Sequence, residues 1–167
     1  MDDDLAAFCG TEHPRLVGAL TLVCGDRAVA EDLAQETLAT VCRTWPKVRS
    51  RDAPGAYAHR VAMNMAASWW RRRLAERRAV RRSGAPPESY TEPDGADAVA
   101  VRAALEQLDP RLRRVLVARY YLGYDVAGAA QLLGLPVGTV KTHSVRGIAA
   151  LRAALGTATD EEAPVDA

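Results

Sequence analysis

At 167 residues the chain fits one ordinary domain or two small ones, and its richness in Ala, Leu, Val and Arg, with a single Phe, favours helix almost everywhere. The net charge of +1 hides a segregation: residues 1–36 are acidic, opposed only by Arg15 and Arg27, while Arg43 to Arg82 is strongly basic, opposed only by Asp52 and Glu76. No apolar run nears the roughly 20 residues of a membrane span, and Met-Asp-Asp-Asp is no secretory leader, so a cytoplasmic protein without membrane insertion is expected.

In chain order, Leu5, Phe8, Leu16, Leu20, Leu22 and Val23 mark the apolar face of a first helix, which Gly25-Asp26 ends. A second helix spans about 28–45, with Leu33, Leu38, Val41, Cys42 and Trp45 as buried candidates and Pro46 as its stop. Residues 47–54 lack periodicity, and Pro54-Gly55 opens the basic helix. At about 100° per residue, Ala58, Val61, Ala62, Met65 and Trp69 share its core side while Arg60, Asn64 and Arg71 share another. Asn64 is unusual inside a helix; it is either a contact residue or a tolerated surface Asn. A cationic stretch this one-sided suits a polyanion better than a solvated face.

The Pro-, Gly- and acid-rich residues 83–97 read as a flexible linker. They divide the chain into domains 1–82 and 98–155, followed by a disordered acidic tail, 156–167. The fold class is therefore all-α, two small helical domains, the second ending in a helix-turn-helix. In that second domain helices are expected over 99–108 and 110–122. Asp125 N-caps a further helix to Leu133, Gly134-Leu135-Pro136 turns, and a last helix follows from Val137 to Leu155. Val140, Ile148, Leu151 and Leu155 fall on one side of it and Thr142, Arg146 and Ala149 on the other, with Lys141 and His143 flanking, as in a recognition helix. The same pattern also fits a plain helical hairpin.

Several strings, in order and spacing, resemble the extracytoplasmic-function, or group IV, sigma factors of bacterial RNA polymerase. They are Ala30-Glu31-Asp32-Leu33-Ala34-Gln35-Glu36-Thr37, Ala56-Tyr57-Ala58-His59-Arg60-Val61-Ala62-Met63-Asn64, Leu105-Glu106-Gln107-Leu108-Asp109-Pro110 and Pro136-Val137-Gly138-Thr139-Val140-Lys141. The Ala- and Arg-rich usage is similar to actinobacterial members. The resemblance implies that 1–82 is region 2, with Asp32, Gln35 and Glu36 on the polymerase-binding surface. It also implies that the loop 48–53, with Arg49 and Arg51, receives a base flipped from the minus-ten element, flanked by Arg60 and Asn64, with Arg71 tracking phosphates. It makes 98–155 region 4, reading minus-thirty-five duplex through Thr139, Lys141, Thr142, His143 and Arg146. Core polymerase and promoter DNA are the implied partners, with an anti-sigma factor as a candidate third. Trp69-Trp70 is read as packing, because the Trp pair with which housekeeping members melt DNA aligns nearer Arg60-Val61. Gly128 stands where the family commonly has Glu, and His143 replaces a more usual basic residue.

The alternative is a helix-turn-helix regulator that acts without polymerase, but residues 1–82 never alternate strand with helix as a receiver domain would. An enzyme is not expected: His13, His59 and His143 have no nucleophile or acid at credible spacing, and no phosphate-cradling Gly loop occurs. Cys9, Cys24 and Cys42 are odd in number and widely spaced, indicating neither a disulfide framework nor a zinc site. No metal or cofactor is expected; Cys9 and His13, one turn apart, make at most half a metal site.

Overall fold

A computed structural model describes residues 3–84 and 96–161; most of the expected linker and the last residues of the acidic tail lie outside the described residues. Every described element is a helix, and the chain folds as two compact units, Met1–Thr91 and Glu92–Ala167.

The first unit holds α1 (Asp3–Cys24), α2 (Arg27–Val48) and α3 (Pro54–Ser83). Gly25, at φ 76°, makes the left-handed turn between α1 and α2. Asp26 then caps α2, accepting the Val29 amide at 3.2 Å, an arrangement worth about 1 kcal/mol. With only these two residues between them, α1 and α2 run antiparallel. Leu16, Leu20 and Val23 of α1 are buried with Ala30, Ala34 and Val41 of α2.

Three expectations for this unit need correction. Pro46 does not end α2: the Arg49 amide still donates to the Trp45 carbonyl at 2.8 Å, because buried Trp45 and Val48 hold the last turn in place. Cys42 is exposed, since Val41 and Trp45 set the inward phase of this turn. On α3 the inward stripe is Ala58, His59, Ala62, Met63, Ala66 and Trp70, rotated from the one expected, with Val61, Met65 and Trp69 only half-buried. Small Ala side chains let α3 approach both α1 and α2, and Trp70 is drawn inward by its indole N–H, which donates to the Val23 carbonyl at 3.0 Å.

The second unit holds α4 (Ala96–Glu106), α5 (Pro110–Leu116), α6 (Val126–Leu133) and α7 (Val137–Glu161). Asp109 caps α5, accepting the Arg111 amide at 2.8 Å, and Pro110 starts it. The single helix expected over 110–122 instead widens after α5 into a π-helical turn, Val117–Tyr121, closed by the Leu122 amide on the Val117 carbonyl at 2.9 Å. Buried Arg113 donates to the Glu106 and Leu108 carbonyls at 2.9 and 3.1 Å, satisfying the carboxyl end of α4 and the turn that follows it. At the other end of the unit α7 continues to Glu161, past the expected boundary at Leu155. No proline intervenes before Pro164, and extending a formed helix costs little.

Candidate nucleic-acid interface

In the first unit, Leu33, Ala34, Thr37 and Leu38 face the core, which leaves Asp32, Gln35 and Glu36 exposed together along the opposite side of α2. After α2 the loop is exposed from Arg49 to Ala53. Arg51 lies over the Tyr57 ring, 5.1 Å from its centroid, which ties the loop to the first turn of α3. Tyr57, Arg60 and Asn64 follow one another at helical spacing, and both Arg60 and Asn64 are exposed. The structure thus sets Arg51 against a half-buried aromatic ring, with Arg60 and Asn64 exposed further along the same helix. Tyr57 was passed over in the sequence because its partner, Arg51, lies outside its own helix; an aromatic three residues before an outward Arg was the available signal.

Arg71 is exposed and donates to the Ser68 hydroxyl at 2.8 Å. From Arg71 to Arg82 every residue except Arg73 is exposed, and Glu76 alone is acidic. Two of these guanidiniums lie over rings: Arg73 over Trp69 at 6.0 Å and Arg77 over Trp70 at 5.9 Å. Trp69 and Trp70 pack edge to face, with centroids 4.9 Å apart. The Trp pair therefore supports the basic helix from beneath.

In the second unit, the Asp125 side chain caps α6 by accepting the Gly128 amide at 2.7 Å. A Cβ at position 128 would stand 3.0 Å from that carboxylate and 3.1 Å from the Tyr124 ring, so glycine permits the tight cap. Gly134, at φ 64°, ends α6, and the Leu135 amide closes on the Ala130 carbonyl at 3.0 Å. α7 then packs by buried Val140 and Ser144. Lys141, Thr142 and Arg146 stand exposed on the outer face; Thr139 and His143 are half-buried at its margin. Val145, 71% exposed, lies between Thr142 and Arg146. Sequence reading missed it because an isolated Val was assigned to neither face; only the packed helix shows it pointing outward.

Among the described residues no group of three His, Cys, Asp or Glu could hold a metal ion, and no helix is long and apolar enough to cross a membrane.

These features define a two-unit, all-helical nucleic-acid-binding protein whose second unit is a helix-turn-helix. Residues 10–76 match the family described as Sigma-70 region 2, and residues 98–151 that described as Sigma-70, region 4. The chain is 30% identical over 146 residues to the RNA polymerase sigma-E factor of Streptomyces coelicolor, covering 87% of this chain and 82% of that one. It is 36% identical over 160 residues to the ECF RNA polymerase sigma factor SigL of Mycobacterium tuberculosis, covering 86% and 85%. In fold it is similar to the sigma factor RpoE of Bartonella quintana, solved with the anti-sigma factor NepR, with a TM-score of 0.78, 22% identity and coverage of 92% and 97%. The chain belongs to the sigma-70 family of RNA polymerase sigma factors, in its extracytoplasmic-function group. Nothing favours the polymerase-independent regulator.

Proposed function

We propose that the chain is a non-catalytic initiation factor that works in the cytoplasm, with residues 1–82 and 98–155 as its two working modules. Asp32, Gln35 and Glu36 bind core polymerase. Carboxylates in an exposed row pair with basic groups of a large partner and set register. Arg49, Arg51, Arg60 and Asn64 hold a base flipped out of the minus-ten element, with Tyr57 beneath Arg51, and Arg71 with the rest of the basic helix follows the strand's phosphates. Lys141, Thr142 and Arg146 enter the minus-thirty-five major groove, with Thr139 and His143 at the edge; Val145 offers an apolar surface to a thymine methyl.

The observation that carries this reading is the separation, on one three-helix unit, of an exposed acidic row on α2 from an exposed cationic face on α3. One face suits a basic protein and the other a polyanion. Reconstitution with core polymerase tests it: the pair should initiate at specific promoters, while the chain alone binds duplex weakly. Tight, specific binding without polymerase and without effect on start sites would refute it. Asp32→Arg with Glu36→Arg should lower polymerase affinity at least tenfold while the helical spectrum and melting stay unchanged. Because the fold neighbour was solved with an anti-sigma factor, such a protein is also a proposed partner.

A further inference from the structure

Cys9 on α1 and Cys42 on α2 stand the same number of residues from the Gly25–Asp26 turn, one before it and one after. The antiparallel hairpin therefore brings them to one level. The register is pinned next door, where Phe8 and Trp45 pack with ring centroids 5.1 Å apart, and where Leu5 and Phe8 cover Val41 and Trp45. In this frame the two thiols are close enough neighbours for Cys42 to act on the ionisation of Cys9. Cys42 is exposed, Cys9 half-buried, and the third cysteine, Cys24, is buried.

We propose that Cys9 and Cys42 form a two-thiol redox site that closes, under a hydroperoxide, into a reversible disulfide stapling α1 to α2. Cys42, on the solvent side, reacts first. Its sulfur attacks the peroxide, an S–O bond forms as the O–O bond breaks, and the Cys42 sulfenic acid is left as an alcohol or water departs. The Cys9 sulfur then attacks the Cys42 sulfur: the S–S bond forms, the S–O bond breaks, and hydroxide leaves with the Cys9 proton as water. Both thiols are oxidised and the peroxide is reduced. Burial, and then the neighbouring Cys42, push the Cys9 thiol above its ordinary pKa. That holds it protonated at neutral pH, which disfavours it as the first thiol to meet the peroxide.

The bridge would close a loop containing most of both helices, which restrains the unfolded chain. It also leaves the surface clear. Cys42 continues the exposed row of Gln35 and Ala39 along α2, so an intramolecular bond spares that row the bulk of a mixed disulfide. The inference does not depend on what the row binds.

The test is stepwise hydrogen peroxide treatment of the reduced full chain, followed by thiol counting after unfolding and peptide mapping without reductant. The expected result is a monomer in which two of the three thiols are lost, the Cys9 and Cys42 peptides are joined, and Cys24 alone is alkylated. Its melting temperature should rise by several degrees and return on addition of dithiothreitol. Cys24→Ser should behave like the parent, whereas Cys9→Ser with glutathione present should trap Cys42 as a mixed disulfide. Mapping of the unsubstituted chain decides the matter even if a variant fails to fold. The proposal is overturned if Cys9 and Cys42 are joined only between chains, if Cys42 passes to sulfinic acid while Cys9 stays reduced, or if neither loses its thiol.

Discussion

His59, on the inward stripe of α3, meets Glu12 of α1, with its Nε2 donating to the carboxylate at 3.0 Å in a nearly closed site. Gly55 leaves room for that carboxylate: a Cβ there would stand 3.0 Å from it. Burial is the largest influence on the imidazole and pushes its pKa below the ordinary 6.5; Arg15 acts the same way, and Glu12 only partly opposes them. The unfolded chain therefore takes up a proton near pH 6.5 that the folded chain refuses. The stability that His59 confers is complete above about pH 6.5 and is lost as pH falls from there through the lower folded value. Melting curves of the full chain from pH 7.5 to 5.5 should show this loss, at most about 1.4 kcal/mol per pH unit for one proton. His59→Gln should flatten the slope; an unchanged slope would assign it to other groups. This pair was hidden in the sequence, since a helical His beside Arg60 reads as a polar surface residue until α1 closes over it. On α7, Arg146→Ala should relax preference at one base of the upstream element, read by promoter selection, whereas a uniform loss would make it a phosphate contact.

At the scale of the element, two residues of the second unit do work that helical periodicity hides. Gly147 is buried in the middle of α7, where propensity alone would favour Ala by about 1 kcal/mol. A Cβ there would lie 2.9 Å from Leu116 Cγ, because α5 crosses α7 at that point. Gly147→Ala should thus destabilise the unit by about 1–3 kcal/mol in urea titration, through overpacking. Arg113→Met removes the donor to the Glu106 carbonyl that ends α4 and to the Leu108 carbonyl in the turn after it, and should lower stability by roughly 2–3 kcal/mol, with amide exchange rising first over residues 100–108. Helix existence was legible throughout, from spacing and from Asp26, Asp109 and Asp125 as caps. Helix ends were less so: α2 passes Pro46 and α5 widens into a π turn because the buried side chains of those turns, Trp45 and Val48 in one and Val117 and Ala118 in the other, hold them in place against local propensity.

For the whole molecule, the charge segregation read from the sequence becomes two surfaces of one unit. Replacing Arg71, Arg72, Arg77 and Arg78 by Ala should lower the salt dependence of promoter opening by the polymerase complex. Each lost strand-phosphate contact reduces the log–log slope by about 0.7. A weaker complex with an unchanged slope would mean these side chains do not touch phosphate.

The sequence by itself determined the all-helical class, the two-unit division, the helix-turn-helix and the family, because each rests on local spacing, on turn residues or on ordered strings. Only the tertiary structure decided which of Trp69 and Trp70 is buried, that Tyr57 receives Arg51, that Val145 faces outward and that Cys9 and Cys42 are neighbours. Each of these depends on how one helix is rotated against another. That angle is set by side chains far apart in the chain, and no window of periodicity contains both partners.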